Sequence, residues 1–186
     1  MRRLFLLTCS LLLLLNSNTL AVTVYDVTLP ETLSVTGENL QLNGYGLRKK
    51  LFFKIYLGAL YTGAKATSTE QVLALPGAKL IRMNFLYKKV EREKIVDAFA
   101  EGFSKNSPQL NGNPQLQQFL NLFTDDFIAG DQVDLELAAD GTVSATHNTK
   151  KLGSVHSQEL ARAVLLIYLG NQPADSNLKK GMLGEI

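Results

Sequence analysis

The chain has 186 residues, 46% of them hydrophobic, with 19 Lys+Arg against 17 Asp+Glu and one cysteine. A chain of this length suits one domain with a single sizeable core. Setting aside Arg2 and Arg3 at the extreme N-terminus leaves it formally neutral, which removes the usual electrostatic motive for binding nucleic acid.

Arg2 and Arg3 precede an apolar block from Leu4 to Leu15, broken only by Thr8, Cys9 and Ser10, and then a polar stretch ends in Thr19-Leu20-Ala21. A basic start, a short apolar block and small residues near the end are the parts of a secretory signal peptide, and the block is too short for a bilayer, which needs about 20 residues. Cleavage is expected after Ala21, giving a signal peptide over 1–21 and one domain over 22–186, periplasmic or secreted and without a stable membrane span. The run Leu6-Leu7-Thr8-Cys9 loosely resembles a lipobox, but the Thr before the Cys and the Leu run after it argue against lipidation. The mature chain then holds no cysteine, so disulfides, thiol chemistry and Cys-ligated metals are excluded from it.

Two short β-rich runs between Val22 and Val35 are separated by Pro30, as for opening or edge strands. Leu40 and Leu42 then run at period two into Asn43-Gly44-Tyr45-Gly46, read as a turn feeding a long buried strand up to Tyr61. Within Leu51 to Tyr61 the odd positions are wholly apolar and the even ones mixed, which predicts a central strand with core on one side and a second layer or pocket on the other. Residues 67–75 form a helix capped by Ser68 or Thr69 and ended by Pro76-Gly77, and Lys79 to Tyr87 form another strand. Val90, Ile95, Ala98, Phe99, Gly102 and Phe103 recur at helical spacing opposite a charged face, so an amphipathic helix lies on the sheet there.

Residues 104–115 are rich in Asn, Gly and Pro and read as a loop, after which Asn113-Pro114 opens a helix whose buried stripe is Leu116, Phe119, Leu120, Phe123 and Phe127. Gln132–Ala138 and Thr142–His147 are strands joined through Ala139-Asp140-Gly141 as a hairpin. Ser157 caps a helix running to Leu169 and closed by Gly170, and Pro173 opens a last short one. The pattern is an α+β domain: an antiparallel β-sheet of about six or seven strands with helices packed on one face.

No local catalytic signature is present: there is no GxSxG, HExxH, phosphate loop or dinucleotide fingerprint. His147 and His156 lack the further ligands that zinc needs, and Asp125, Asp126, Asp131 and Asp134 lack EF-hand spacing. No catalytic residue, metal or cofactor is assigned. Arg48 and Tyr56 are the candidate ligand-binding pair, because a guanidinium gives a carboxylate two parallel hydrogen bonds and a tyrosine hydroxyl donates a third. Along an unbroken strand they would stand about 27 Å apart, so they meet only if the chain reverses near Lys49-Lys50, beside Phe52, Phe85 and Phe99. Lys54 and Arg82 are the alternative cations, and the bland reading makes Arg48 a turn residue and Tyr56 a packing residue.

The stretch Asn43–Tyr61, NGYGLRKKLFFKIYLGALY, with Phe85–Phe103, Phe123–Asp134, Gly141–Leu152 and Tyr168–Gly184, resembles the chalcone-isomerase-like family, in its bacterial, exported kind. The resemblance implies that family's open sheet-and-helix fold. It also implies an Arg and a Tyr holding a fatty-acid head group, roles that fall on Arg48 and Tyr56. Chalcone isomerases themselves use an Arg, a strand Thr, and a Tyr and an Asn on the following helix; here those positions carry Arg48, Tyr56, Glu91 and Ala98. Loss of most of that set argues against the isomerisation. Three readings remain: a non-catalytic exported protein binding a small amphipathic molecule such as a fatty acid, an isomerase or intramolecular lyase on another substrate, and a protein-partner module without a ligand.

Overall fold

The computed structural model describes residues 21–185, so most of the expected signal peptide, Cys9 included, lies outside the described residues. The chain opens with a small hairpin, β1 (Ala21–Val24) and β2 (Val27–Pro30), turned through Tyr25 and Asp26 at positive φ. It continues through β3 (Thr32–Val35), β4 (Glu38–Lys50), β5 (Phe53–Thr62), α1 (Thr69–Ala74) and β6 (Lys79–Phe85). A long crossover then carries β7 (Lys89–Val90), α2 (Arg92–Asn106), α3 (Pro114–Leu120) and β8 (Phe127–Ile128) over one face. The chain closes with β9 (Gln132–Leu137), β10 (Thr142–His147), β11 (Lys150–His156), α4 (Gln158–Leu169) and α5 (Ser176–Met182).

Seven strands form one antiparallel sheet in the order β11-β10-β9-β6-β5-β4-β3, as the alternating patterns predict. Among the described residues all five α-helices contribute to the core on one face, through Val72, Phe99, Phe119, Val164 and Leu178 among others. The opposite face has a smaller cluster around Leu57, Ala59, Tyr61 and Leu80, covered by Leu29 and Val35 and flanked by Val24 and Val27 of the first hairpin. The central strand β5 is therefore buried on both sides, which is why its mixed face could carry polar groups inward without opening to water.

Pro173 does not open the last helix, which begins at Ser176 behind Asp175, and three larger expectations change. First, Asn43-Gly44-Tyr45-Gly46 is no turn: it lies within β4, and Gly44 and Gly46 keep extended backbone. These glycines answer a packing need, since a Cβ on Gly44 would fall on the Gly181 carbonyl oxygen and one on Gly46 would come within 2.8 Å of Leu178 Cα. Helix α5 thus lies backbone to backbone on the strand. Asn43 forms a bulge there, and its buried amide donates to Ala66 O (2.9 Å) and Met182 O (2.7 Å) while accepting from Ala66 N (2.7 Å).

Second, the helix begun at Pro114 stops at Leu120, although the apolar spacing continues through Phe123 and Phe127. Thr124-Asp125-Asp126 are weak helix formers, and Asp126 instead accepts from Arg92 N (2.9 Å) and pairs with Lys89 (2.8 Å). Phe127 becomes part of β8 and stacks on Phe85 at 4.8 Å. Third, β11 was not among the expected strands, because its lysines and Gly153 hide a period-two pattern. Such polar composition suits the edge it occupies. His147 and His156 fall at opposite ends of the β10–β11 hairpin, the first beside Asp131 (3.0 Å) and the second beside Thr142 (3.2 Å).

Candidate functional site

The reversal that joins Arg48 to Tyr56 is the β4–β5 hairpin, but its loop is Leu51-Phe52 rather than Lys49-Lys50. Arg48 and Tyr56 are cross-strand partners in that register. The ladder slips one residue between Arg48 and Lys49, so Ile55 is an extra residue and the alternation of faces resets there. Ile55 and Tyr56 consequently point into the same cavity, whereas Lys54 is carried away from it.

That cavity has a volume of about 510 Å³ and lies between the sheet, α2, α4 and the approach to α5. The size falls within the range of roughly 300–1,000 Å³ usual for small-molecule sites. Its apolar walls include Ile55, Met83, Ile95, Phe99 and Ile167; Arg48, Tyr56 and Tyr168 are the more buried polar groups on it, and the exposed Lys50, Lys88, Lys89, Glu91 and Lys94 line it as well. Burial pushes the Tyr56 hydroxyl up to about 12, against the pull of the Arg48 charge, so it is a neutral donor at any physiological pH. Burial raises Tyr168 as well; its hydroxyl donates to Met83 Sδ at 3.2 Å and interacts with that of Tyr56.

Arg48 is oriented from the C-terminal segment. Its Nη1 donates to the Ala174 carbonyl and lies 3.9 Å from Asp175 Oδ2. Asp175 is the N-cap of α5, accepting from Asn177 N (2.8 Å) and Leu178 N (3.1 Å), and it also accepts from Lys49 N at 3.1 Å. Among the described residues the guanidinium makes no other hydrogen bond, so its remaining donors are free for a ligand carboxylate. Asp175 and Tyr168 were not singled out from the sequence. Asp175, followed by a helix-forming run, had a legible N-cap signal, whereas Tyr168 gave only the helical periodicity of a core residue.

The other two candidate cations stand elsewhere. Lys54 lies over the Tyr25 ring, 4.0 Å from its centroid. Arg82 shares the face of Tyr61, opposite its cavity-lining neighbour Met83, and forms a two-pronged pair with Asp134, Nε to Oδ1 and Nη2 to Oδ2, each 2.8 Å. Phe99 lines the cavity and Phe85 packs against Tyr56 at 5.6 Å, but Phe52 is 96% exposed and contributes no wall. Glu91 and Ala98, the residues that the resemblance sets at the Tyr and Asn positions of chalcone isomerases, do line it.

A second cavity, of about 600 Å³, lies between the first hairpin and β4. Four glycines are among its lining residues, and the one ammonium there among the described residues, Lys65, is engaged by the Leu42 and Asn43 carbonyls. It lacks the convergent donors beside an apolar wall that the Arg48 cavity has.

A seven-stranded antiparallel sheet with helices on one face and a cavity between the layers defines the class: an open-faced α+β sandwich of the chalcone-isomerase type. A family model described as chalcone isomerase-like matches residues 21–184, and the chain belongs to that family. A curated relative, Fatty-acid-binding protein 1 of Arabidopsis thaliana, is 24% identical over 178 residues, covering 79% of this chain and 64% of the relative. The chain thus spans a little under two thirds of that protein's length. The crystal structure of an Arabidopsis thaliana fatty-acid-binding protein shares the fold with a TM-score of 0.68 at 20% identity, over 89% of this chain and 96% of the other.

Proposed function

We propose that this protein is a non-catalytic carrier that binds a fatty acid or a like amphipathic carboxylate in the Arg48 cavity. The observation that carries the reading is the register of Arg48 against Tyr56 at the wall of an apolar cavity of about 510 Å³. The acyl chain would lie against Met83, Ile95, Phe99 and Ile167, and the carboxylate would take the free guanidinium donors and the Tyr56 hydroxyl. Asp175, at 3.9 Å, is beyond hydrogen-bond reach of Arg48, so a carboxylate docked at about 2.8 Å outcompetes it for the cation. The name of the relative, a fatty-acid-binding protein matched both in sequence and through its crystal structure, supports the same ligand class.

Titrating a long-chain fatty acid into the protein tests this. Arg48→Ala should weaken binding by about 1.5–3 kcal/mol and Tyr56→Phe by about 0.5–1.5 kcal/mol, with both variants folded. No binding by the wild type, or unchanged affinity in Arg48→Ala, would remove the head-group role. An isomerase reading is disfavoured because Glu91 and Ala98 leave the cavity without the helix Tyr and Asn donors. Arg48-dependent cyclisation of a chalcone above the spontaneous rate would reinstate it.

The same proposal makes the protein a bacterial, exported member of the family, periplasmic or secreted. Its support is the basic start and apolar block over residues 1–21. N-terminal sequencing of the exported protein should begin at Val22; lipid attached to Cys9 would overturn that processing.

A further inference from the structure

Five large apolar side chains are exposed among the described residues: Tyr25, Leu51, Phe52, Phe53 and Ile128. They are not scattered. Leu51, Phe52 and Phe53 form the tip of the β4–β5 hairpin and are 83%, 96% and 52% exposed. Tyr25 lies under the Lys54 ammonium next to that tip, and Ile128 is the cross-strand partner of Lys89, which lines the mouth of the Arg48 cavity together with Leu51 and Phe53. Fold stability does not account for this choice of residues. Leu51 holds φ 55°, a left-handed conformation natural to Gly or Asn and strained for a Leu, and Phe52 touches water on nearly every side.

Cations surround the tip. Lys49, Lys50, Lys54, Lys88 and Lys94 are exposed, and no carboxylate among the described residues lies within 4.0 Å of any of their ammonium nitrogens, although the Asp175 carboxylate accepts from the Lys49 main-chain N–H. Lys89 pairs with Asp126, and Glu91 is the one acidic residue lining the cavity among the described residues. This clustering does not follow from a basic chain, since beyond Arg2 and Arg3 the sequence holds as many acidic as basic residues. An apolar tip that can enter the acyl boundary, ringed by lysines that remain at head-group level, is complementary to one kind of partner, a lipid surface bearing negative charge.

We infer that the β4–β5 hairpin docks the protein on anionic bilayers, with Phe52 inserted, the lysine ring on the head groups, and the cavity mouth turned to the membrane. Docking itself does not depend on what the cavity holds. If the cavity carries an acyl chain, this orientation lets the chain move between bilayer and protein without crossing water.

Flotation of the full chain with vesicles of phosphatidylcholine alone, or of phosphatidylcholine with phosphatidylglycerol, is the test. Recovery is expected with the anionic vesicles only, and high salt should abolish it, because the lysine contribution is screened. Phe52→Ser and the double variant Lys49→Glu/Lys54→Glu should each reduce recovery at least about tenfold, with unchanged melting temperature and fatty-acid affinity, since none of these side chains lines the cavity. Equal recovery with neutral vesicles, or full recovery of both variants, would overturn the inference. So would a Phe52-dependent dimer that does not float, which would make the patch an interface between copies. A failed fatty-acid titration would leave the flotation result standing, so the two proposals fail separately.

Discussion

Gly181→Ala is expected to destabilise the protein by about 3 kcal/mol, although the substitution improves helix propensity by about 1 kcal/mol. The added Cβ would fall on the Tyr45 carbonyl oxygen and within 2.8 Å of Gly46 Cα, and both are main-chain atoms of β4, a strand held along its length by β5. Neither can rotate away. Helix α5 would have to retreat, drawing Leu178 and Met182, both fully buried, off the hollow they fill over Gly58. Overpacking and lost burial together exceed the propensity gain. Chemical denaturation should show the drop, and the melting temperature should fall by about 6–12 °C for a chain of this size. Gly63→Ala, where the new methyl meets nothing within 4 Å, should stay within about 0.5 kcal/mol of wild type. A Gly181→Ala protein as stable as wild type would show that the strand–helix contact is looser than described. Because the Ala174 carbonyl and Asp175 hold Arg48, retreat of α5 should also loosen the cation and weaken carboxylate binding.

Asp134→Ala should cost about 3–5 kcal/mol, the range for removing one partner of a buried ion pair. Arg82 and Asp134 are only 13% and 12% exposed, and their two-pronged contact joins β6 to β9 in the centre of the sheet. Burial alone would lower the Arg82 pKa, but the hydrogen bonds and charge of Asp134, with smaller contributions from Tyr61 and Glu136, more than offset it and the net shift is upward. Without that carboxylate the guanidinium stays buried and uncompensated beside Tyr61. Replacing both partners by apolar residues, Arg82→Met with Asp134→Leu, should recover most of the loss, because the pair's mutual attraction largely serves to offset its own desolvation. Denaturation midpoints of the two single variants and the double variant decide this. Fatty-acid affinity should be unchanged in the double variant, since the pair lies on the face away from the cavity. A loss of affinity there would return Arg82 to the ligand site.

The contrast between Arg48 and Arg82 marks the limit of reading residues in order. Both are arginines on strands beside aromatic residues, and either could hold a carboxylate. What separates them is which face each occupies and what opposes it, and that depends on register. The slip at Ile55 is one extra residue, invisible in a period-two pattern, yet it sends Lys54 out of the cavity while Tyr56 stays in it. The supply of a carboxylate to Arg82 by a strand 52 residues away was equally out of sight.

Local signals were reliable where local physics decides. Ser68, Asn113 and Ser157 cap helices as their side-chain oxygens dictate, and the hairpin through Asp140-Gly141 forms as its turn residues require. The antiparallel sheet and the helices on one face also follow from hydrophobic period. The sequence by itself therefore determined the fold class and most of the elements, and it narrowed the site to Arg48 and Tyr56 without deciding that they face each other, which the register of β4 on β5 decides. Only the tertiary structure decided that the glycines of β4 admit a helix backbone, that Ala174 and Asp175 hold Arg48, that Tyr168 stands beside Tyr56, and that the exposed apolar residues gather at the cavity mouth. Those facts depend on groups distant along the chain coming within a few ångströms, and packing geometry, unlike capping or periodicity, leaves no short-range mark in the order of residues.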